Sequence, residues 1–200
     1  VAALVLAAGQ ARRFGGAKLL APLRGRPVLA HVCATVALAR EAGLIGPGWA
    51  VTAAGDEAVA SLASWAGFAV VPNDRPEEGL SRSIRLGLSN VAGSAEAAAV
   101  GAVLLLLGDQ PLVRVETMRR LIEAWRSDLG PVVRPRYLDG PDGPGHPILL
   151  DRSVWPLAER ITGDTGLAAV LPPAVLIDVS GANPDVDTRA DLHLLKGPRS

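Results

Sequence analysis

Three short stretches of this sequence carry residue types suited to binding phosphate and a hard cation. The first is VAALVLAAGQARRFGGAK, in which an apolar run stops at Gly9 and is followed by Arg12, Arg13, Gly15, Gly16 and Lys18. Small residues let a backbone approach a ligand closely and the cations supply charge for an anion, so the stretch reads as a triphosphate-binding loop. The second is Asp109 in LGDQP, directly after the most apolar run of the chain. A carboxylate there suits magnesium. The third is NPDVDTRADL, where Asp185 and Asp187 flank one residue. Residues spaced by two on an extended segment share a side, so both carboxylates can face one ion.

Together the three stretches supply what nucleotidyl transfer needs. Cations hold the triphosphate and offset charge as pyrophosphate departs, while a metal on two carboxylates bridges the α-phosphate and the incoming nucleophile. Two familiar phosphate loops do not fit. The pattern GxxxxGK[ST] requires glycine where Phe14 stands and a hydroxyl where Leu19 stands. The pattern GxGxxG requires glycine at Ala11. Plainer readings stand beside each assignment: a solvated basic turn for the loop, Arg12 above all, and a helix cap for Asp109.

Strand-like and helix-like segments alternate along the chain and must position these groups. Ala3 to Ala8 reads as a buried strand, and Pro27 suits the first turn of a helix ending near Gly43. Strands are predicted at Trp49 to Thr52 and at Ala69 to Val71, the latter closed by Pro72. Ser81 or Ser83 is placed to cap the next helix, which makes its amino end a second ligand edge. Ala102 to Leu107 reads as the central strand, so Asp109 falls at the carboxyl end where open α/β sheets bind ligands. After a strand near Val132 to Arg134, RPRYLDGPDGPGHPILL reads as a looping excursion over the cleft. Short helical segments at Trp155 to Arg160 and Thr165 to Leu171, a strand at Val175 to Val179 and a terminal helix follow. The pattern predicts one α/β domain over residues 1–200, a three-layer α/β/α sandwich with a Rossmann-like, mostly parallel sheet.

Composition narrows the partners. The chain has 200 residues with 20 basic and 20 acidic side chains, so neither nucleic acid nor a membrane surface is an expected partner. One cysteine, Cys33, excludes an internal disulfide and suits a reduced, cytoplasmic setting. No apolar run reaches the roughly 20 residues needed to cross a bilayer. His31 reads as packed or partly exposed and His193 as a surface residue.

LAAGQARRFGGAK is similar to the LAAGxSxRxGxxK signature of the nucleotidyltransferases that make the dinucleotide forms of the molybdenum cofactor. GLSRSIRLGL, LGDQP, GHPILL, GDTG and DVDTRADL resemble that family in the same order. LAAG and Gln110 resemble its cytidylyltransferase branch. The resemblance implies a nucleotidyltransferase fold using CTP, or another NTP, with Mg²⁺, a phosphorylated acceptor such as molybdopterin, and a molybdenum hydroxylase as a further partner. Position by position, it implies that Lys18 and Arg13 hold the triphosphate and that Leu6, Ala8 and Gly9 line the nucleotide path. It also implies that Gly79 and Ser83 read the base, that Asp109 and Asp187 hold the metal, and that His146 faces the second substrate. Lys18, Arg13 and Asp109 become the catalytic set. The signature serine is Ala11 here, which removes one phosphate contact, and Asp185 is placed to replace or assist Asp187. The same motifs also resemble nicotine blue oxidoreductases, which implies a nicotinamide-dependent reduction instead. A non-catalytic cofactor-delivery protein is the third reading.

Overall fold

Strand β1 (Ala2–Ala7) is buried along its whole length, which is why its sequence shows no alternation of apolar and polar residues. In a computed structural model that describes residues 1–9, 11, 13–164 and 166–196, β1 lies near the middle of a seven-stranded sheet. After it come a short hairpin, β2 (Pro22–Leu23) and β3 (Arg26–Pro27), then helix α1 (Val28–Glu41), β4 (Gly48–Ala53), α2 (Glu57–Trp65), β5 (Ala69–Asn73) and α3 (Leu80–Ala92). The second half contains β6 (Ala102–Leu107), α4 (Val115–Arg126), β7 (Val132–Tyr137), β8 (Ile148–Asp151), β9 (Val175–Val179) and α5 (Arg189–Lys196). The sheet order is β5-β4-β1-β6-β8-β7-β9. Only β8 runs against the others: it pairs antiparallel with both β6 and β7. The sheet is therefore the expected mostly parallel one, with a single reversed strand.

Alternate residues of each central strand feed two separate cores. Ala3, Val5 and Ala7 face Leu29, Val32 and Val36 of α1, Val59 and Ala63 of α2, and Met118, Leu121 and Ile122 of α4. Ala2, Leu4 and Leu6 face Ile84, Leu88 and Val91 of α3, together with Val154, Trp155 and Ala158. Those last three lie in successive 3-10 turns over Arg152–Arg160. The buried positions of α1 recur at spacings of three and four, so one stripe of the helix meets the sheet. Layers of helix above and below the sheet complete the predicted sandwich.

The local differences from the sequence reading have identifiable causes. The strand predicted to close at Pro72 continues through it to Asn73, because β5 is an edge strand and proline's missing N–H is tolerated there. Pro27 precedes α1 instead of entering its first turn, with an extended ψ of 146°. Neither Ser81 nor Ser83 caps α3: its N-cap is Gly79. The first free amides bond across the cleft, Leu80 N–H to the Asp164 carboxylate at 3.3 Å and Ser81 N–H to the Gly163 carbonyl at 3.0 Å. The segment read as Thr165 to Leu171 shows a 3-10 turn at Leu167–Ala169, and Thr165 lies outside the described residues.

Helix α3 lies close against β1 because Gly87 has no side chain. A Cβ there would stand 2.7 Å and 2.9 Å from the two methyl carbons of Leu4, which is fully buried. Alanine at a helical position is favoured over glycine by about 1 kcal/mol, whereas overpacking a tight core costs about 1–3 kcal/mol. Gly87→Ala is therefore expected to be net destabilising, seen as a lower urea midpoint with an unchanged slope; a more stable variant would show that α3 is free to move away from the sheet.

Candidate functional site

The loop after β1 is shaped by backbone conformations that few side chains favour. Ala11 has φ 47° and Gly15 φ 74°, and the amides of Phe14 and Gly15 both bond to the Ala11 carbonyl. Phe14 anchors the loop. Its ring is buried with Leu23 of β2, Val28 at the start of α1, Val186, and Leu192 of α5. The guanidinium of Arg189 stands 5.4 Å from the ring centroid. The apolar contacts hold the loop against the C-terminal segment, and Lys18 opens a single 3-10 turn just beyond it.

From that turn the Lys18 ammonium donates to Asp109 Oδ2 at 2.6 Å and to Asp187 Oδ1 at 3.2 Å. Arg13 approaches the other oxygen of Asp187 at 3.5 Å. Exposure separates the two cations: the Lys18 side chain is 10% exposed and that of Arg13 82%. The lysine pair therefore acts in a weakly screened setting, while the arginine contact is worth little in water. Burial opposes the charge on Lys18, but Asp109 and then Asp187 outweigh it and hold the ammonium's pKa above its ordinary value.

Two backbone features fix the carboxylates. Asp109 lies in the turn after β6, and its carbonyl accepts the Val186 amide at 2.9 Å. Val186 is wholly buried, and its neighbours Asp185 and Asp187 both line the cleft. Asp191 then accepts the amides of Asp187 and Thr188 at 3.0 and 2.7 Å, closing the segment onto α5. Asp185 accepts from Gln110 Nε2 at 2.6 Å. Its burial, aided by Asp109 and Asp187, raises its pKa against that hydrogen bond.

These groups share a cleft of about 720 Å³ at the carboxyl ends of β1 and β6. Leu6, Ala8, Gly9, Arg13, Lys18, Gly79, Ser83, Asp109 and Asp187 all line it. Arg12 lies outside the described residues. At the far rim, Gly79 has φ 90°, and a Cβ on it would stand 2.5 Å from the Gly163 carbonyl carbon. Its lack of a side chain is what lets the Gly163–Asp164 turn cover the start of α3. Ser83 accepts from the buried Asn73 side chain at 3.0 Å, so its oxygen is already engaged within the wall.

His146 is elsewhere. It lines an adjoining cavity of about 500 Å³ under the β7–β8 hairpin, which shares Asp185 and Asp187 with the main cleft. Its carbonyl accepts from Tyr137 Oη at 2.8 Å and from Asn183 Nδ2 at 3.4 Å. Asn183 also donates to Gln110 Oε1 at 3.2 Å, so a run of side chains links the hairpin to Asp185. Burial, reinforced by Arg134, depresses the imidazole pKa to about 4, so the ring is neutral near pH 7. His31 is part-buried and bonds to the Leu23 carbonyl at 2.8 Å, and His193 is exposed on α5.

Residues 3–177 match the family described as the MobA-like NTP transferase domain. The chain belongs to that family. The crystal structure of Rv0371c from Mycobacterium tuberculosis H37Rv superposes with a TM-score of 0.80 at 31% identity, over 100% of this chain and 99% of the other. A second crystal structure of that protein is a complex with manganese, with a TM-score of 0.75 at 30% identity over 97% of this chain and 96% of the other. Nicotine blue oxidoreductase from Paenarthrobacter nicotinovorans is 31% identical over 98% of this chain and 96% of its own length. The bifunctional protein GlmU of Rhodospirillum rubrum is 37% identical over 62% of this chain, but the match spans only 25% of GlmU.

Several residues of this MobA-like site have no sequence signal that singles them out. Asp164 reads only as the acid of GDTG, yet it caps α3 and lines the cleft. Asn183 is a buried amide whose partner Gln110 is 73 residues away, and the buried Asn73 bonds to Ser83 across the start of α3. Among the described residues, no group of three or more His, Cys, Asp or Glu side chains is arranged to hold a metal ion.

The depressed His146 pKa sets a pH dependence. An unfolded chain takes up the imidazole proton near pH 6.5 and the folded one only near pH 4, so stability falls as pH drops through that window. His146→Gln is expected to lose that dependence: its urea midpoint should lie below wild type at pH 7.5 by more than at pH 4.5. A midpoint difference that stays constant across the window would show that the ring is not held neutral.

Proposed function

We propose that this chain transfers a nucleotidyl group from a nucleoside triphosphate, CTP in the first instance, to a phosphorylated acceptor of the molybdopterin class. The observation that carries this reading is the convergence of Lys18, Arg13, Asp109 and Asp187 in one cleft at the carboxyl ends of adjacent parallel strands. Lys18 and Arg13 neutralise the triphosphate and take up charge as pyrophosphate leaves. An oxygen of the acceptor phosphate forms a bond to the α-phosphorus as the bond to the bridging oxygen of the β-phosphate breaks, so no covalent enzyme intermediate is needed. The lone cysteine fits that view: Cys33 is buried in α1 with its thiol pKa raised to about 12, chiefly by burial.

The donor set fits a divalent cation. Two carboxylates with room for phosphate oxygens are what magnesium or manganese requires when it arrives with a nucleotide, and a fully formed protein cage is not needed. Asp109 and Asp187 would hold it, with Asp185 beside them. Bound there, the cation would neutralise phosphate charge and polarise the α-phosphate. Asp185 stays oriented by Gln110, and the neutral His146 offers the acceptor a hydrogen-bonding edge in the adjoining cavity.

CTP is favoured over GTP by the LAAG and LGDQP motifs, and the pterin acceptor by the family resemblance. A reduction in the manner of nicotine blue oxidoreductase is the second reading, favoured by its match along nearly the whole chain. Magnesium-dependent release of pyrophosphate from CTP without NADPH oxidation separates the two; NADPH oxidation without pyrophosphate release would overturn the transferase.

Lys18→Met and Asp109→Asn are each expected to lower kcat/KM by about 10²–10³-fold, as loss of a charge-stabilising group does. Arg13→Ala should cost less, since its side chain is 82% exposed. A non-catalytic delivery protein would show no turnover for any of these variants to lose. In a thermal-shift series of CTP, GTP, ATP and UTP with Mg²⁺, CTP is expected to stabilise most, by roughly 2.7 kcal/mol at a hundred times its dissociation constant. A GTP preference would overturn the cytidylyl assignment.

A further inference from the structure

Lys18 sits where a cation would. Its ammonium bonds to both carboxylates that would hold a divalent metal, at 2.6 and 3.2 Å, and thereby links segments 91 and 169 residues away. The side chain is 10% exposed, against 22% for Asp109 and 45% for Asp187, so the lysine is the most enclosed member of the trio. Removing one partner of an enclosed ion pair is costly unless another takes its place. Among the described residues, the only carboxylates bonded to the ammonium are these two.

Taking the cleft as the seat of a triphosphate and a divalent cation, as above, we infer that Lys18 locks the Asp109–Asp187 pair against the cation in the nucleotide-free protein. The ammonium gives the carboxylates up when phosphate oxygens replace them as its acceptors. A cation arriving alone must displace an enclosed ammonium from both carboxylates bonded to it, and it is held off. A cation arriving with a triphosphate meets carboxylates whose lysine has been drawn to the phosphates. Metal and nucleotide affinities are then linked, each raising the other by the same factor. Arg13 contributes little to the lock, because it is exposed and reaches only Asp187.

The test is a titration of Mn²⁺ into metal-free, nucleotide-free protein, followed by the loss of the free-ion signal in electron paramagnetic resonance. Lys18→Met is expected to bind Mn²⁺ roughly tenfold more tightly than wild type, and Asp109→Asn in that background should abolish the gain. Lys18→Gln carries the same expectation and serves if the methionine variant fails to fold. Lys18→Arg, which keeps the positive charge, should remain as weak as wild type. Unchanged or weaker Mn²⁺ binding in both neutral variants, or an equal gain with arginine, would overturn the lock. No nucleotide or turnover enters the measurement, so its outcome is independent of the proposed reaction. Tight Mn²⁺ binding by Lys18→Met, together with a wild-type protein that releases no pyrophosphate from any of the four nucleoside triphosphates, would leave the lock standing and remove the transferase.

Discussion

The interaction on which the site depends is the ammonium of Lys18 held between Asp109 and Asp187. It joins the loop after the first strand, the turn after the central strand and the approach to the last helix. Each of these segments has its own anchor. Phe14 buries itself against Val186 and Leu192, the Asp109 carbonyl receives the Val186 amide, and Asp191 caps the segment behind Asp187. The charged contact is thus set by apolar packing and backbone bonding around it, and the side chains need little freedom to meet. Such preorganisation fixes where the three charged groups stand before any ligand arrives.

Much of this was legible in the sequence. Buried parallel strands are continuous apolar runs, and β1 and β6 stand out for that reason. The two-residue spacing of Asp185 and Asp187 places both on the cleft side because Val186 points the other way into an apolar cluster. The basic glycine-rich loop was visible through composition, since small residues and cations cluster directly after a buried strand.

What was not legible depends on partners that lie far away in the chain. Proline at position 72 reads as a stop, but a stop or a tolerated residue depends on whether the strand has a neighbour on that side, and β5 has none. Serines near a helix start read as caps, yet the cap of α3 arrives from Asp164, 84 residues on. Gly79 and Ser83, which the resemblance assigns to reading a base, both line the cleft, and each also has a protein neighbour the sequence does not announce: Gly163 and Asp164 against the glycine, Asn73 bonded to the serine. His146 has a loop signature but not an address, because a hairpin's lean over a sheet is decided by its pairing strands.

The reversed direction of β8 carries a consequence for how such a site diversifies. Because β7 and β8 pair antiparallel, the loop between them leaves and returns at the same end of the sheet, over a cavity that Gln110 and Asp185 also line. Its two stems are held by strand pairing, and Lys18, Arg13 and Asp109 all lie outside it. The hairpin therefore behaves as a cartridge. It can lengthen, shorten or change its side chains while the strands that lead to Lys18, Arg13 and Asp109 keep their register, so the lining of the adjoining cavity can vary without moving those three groups.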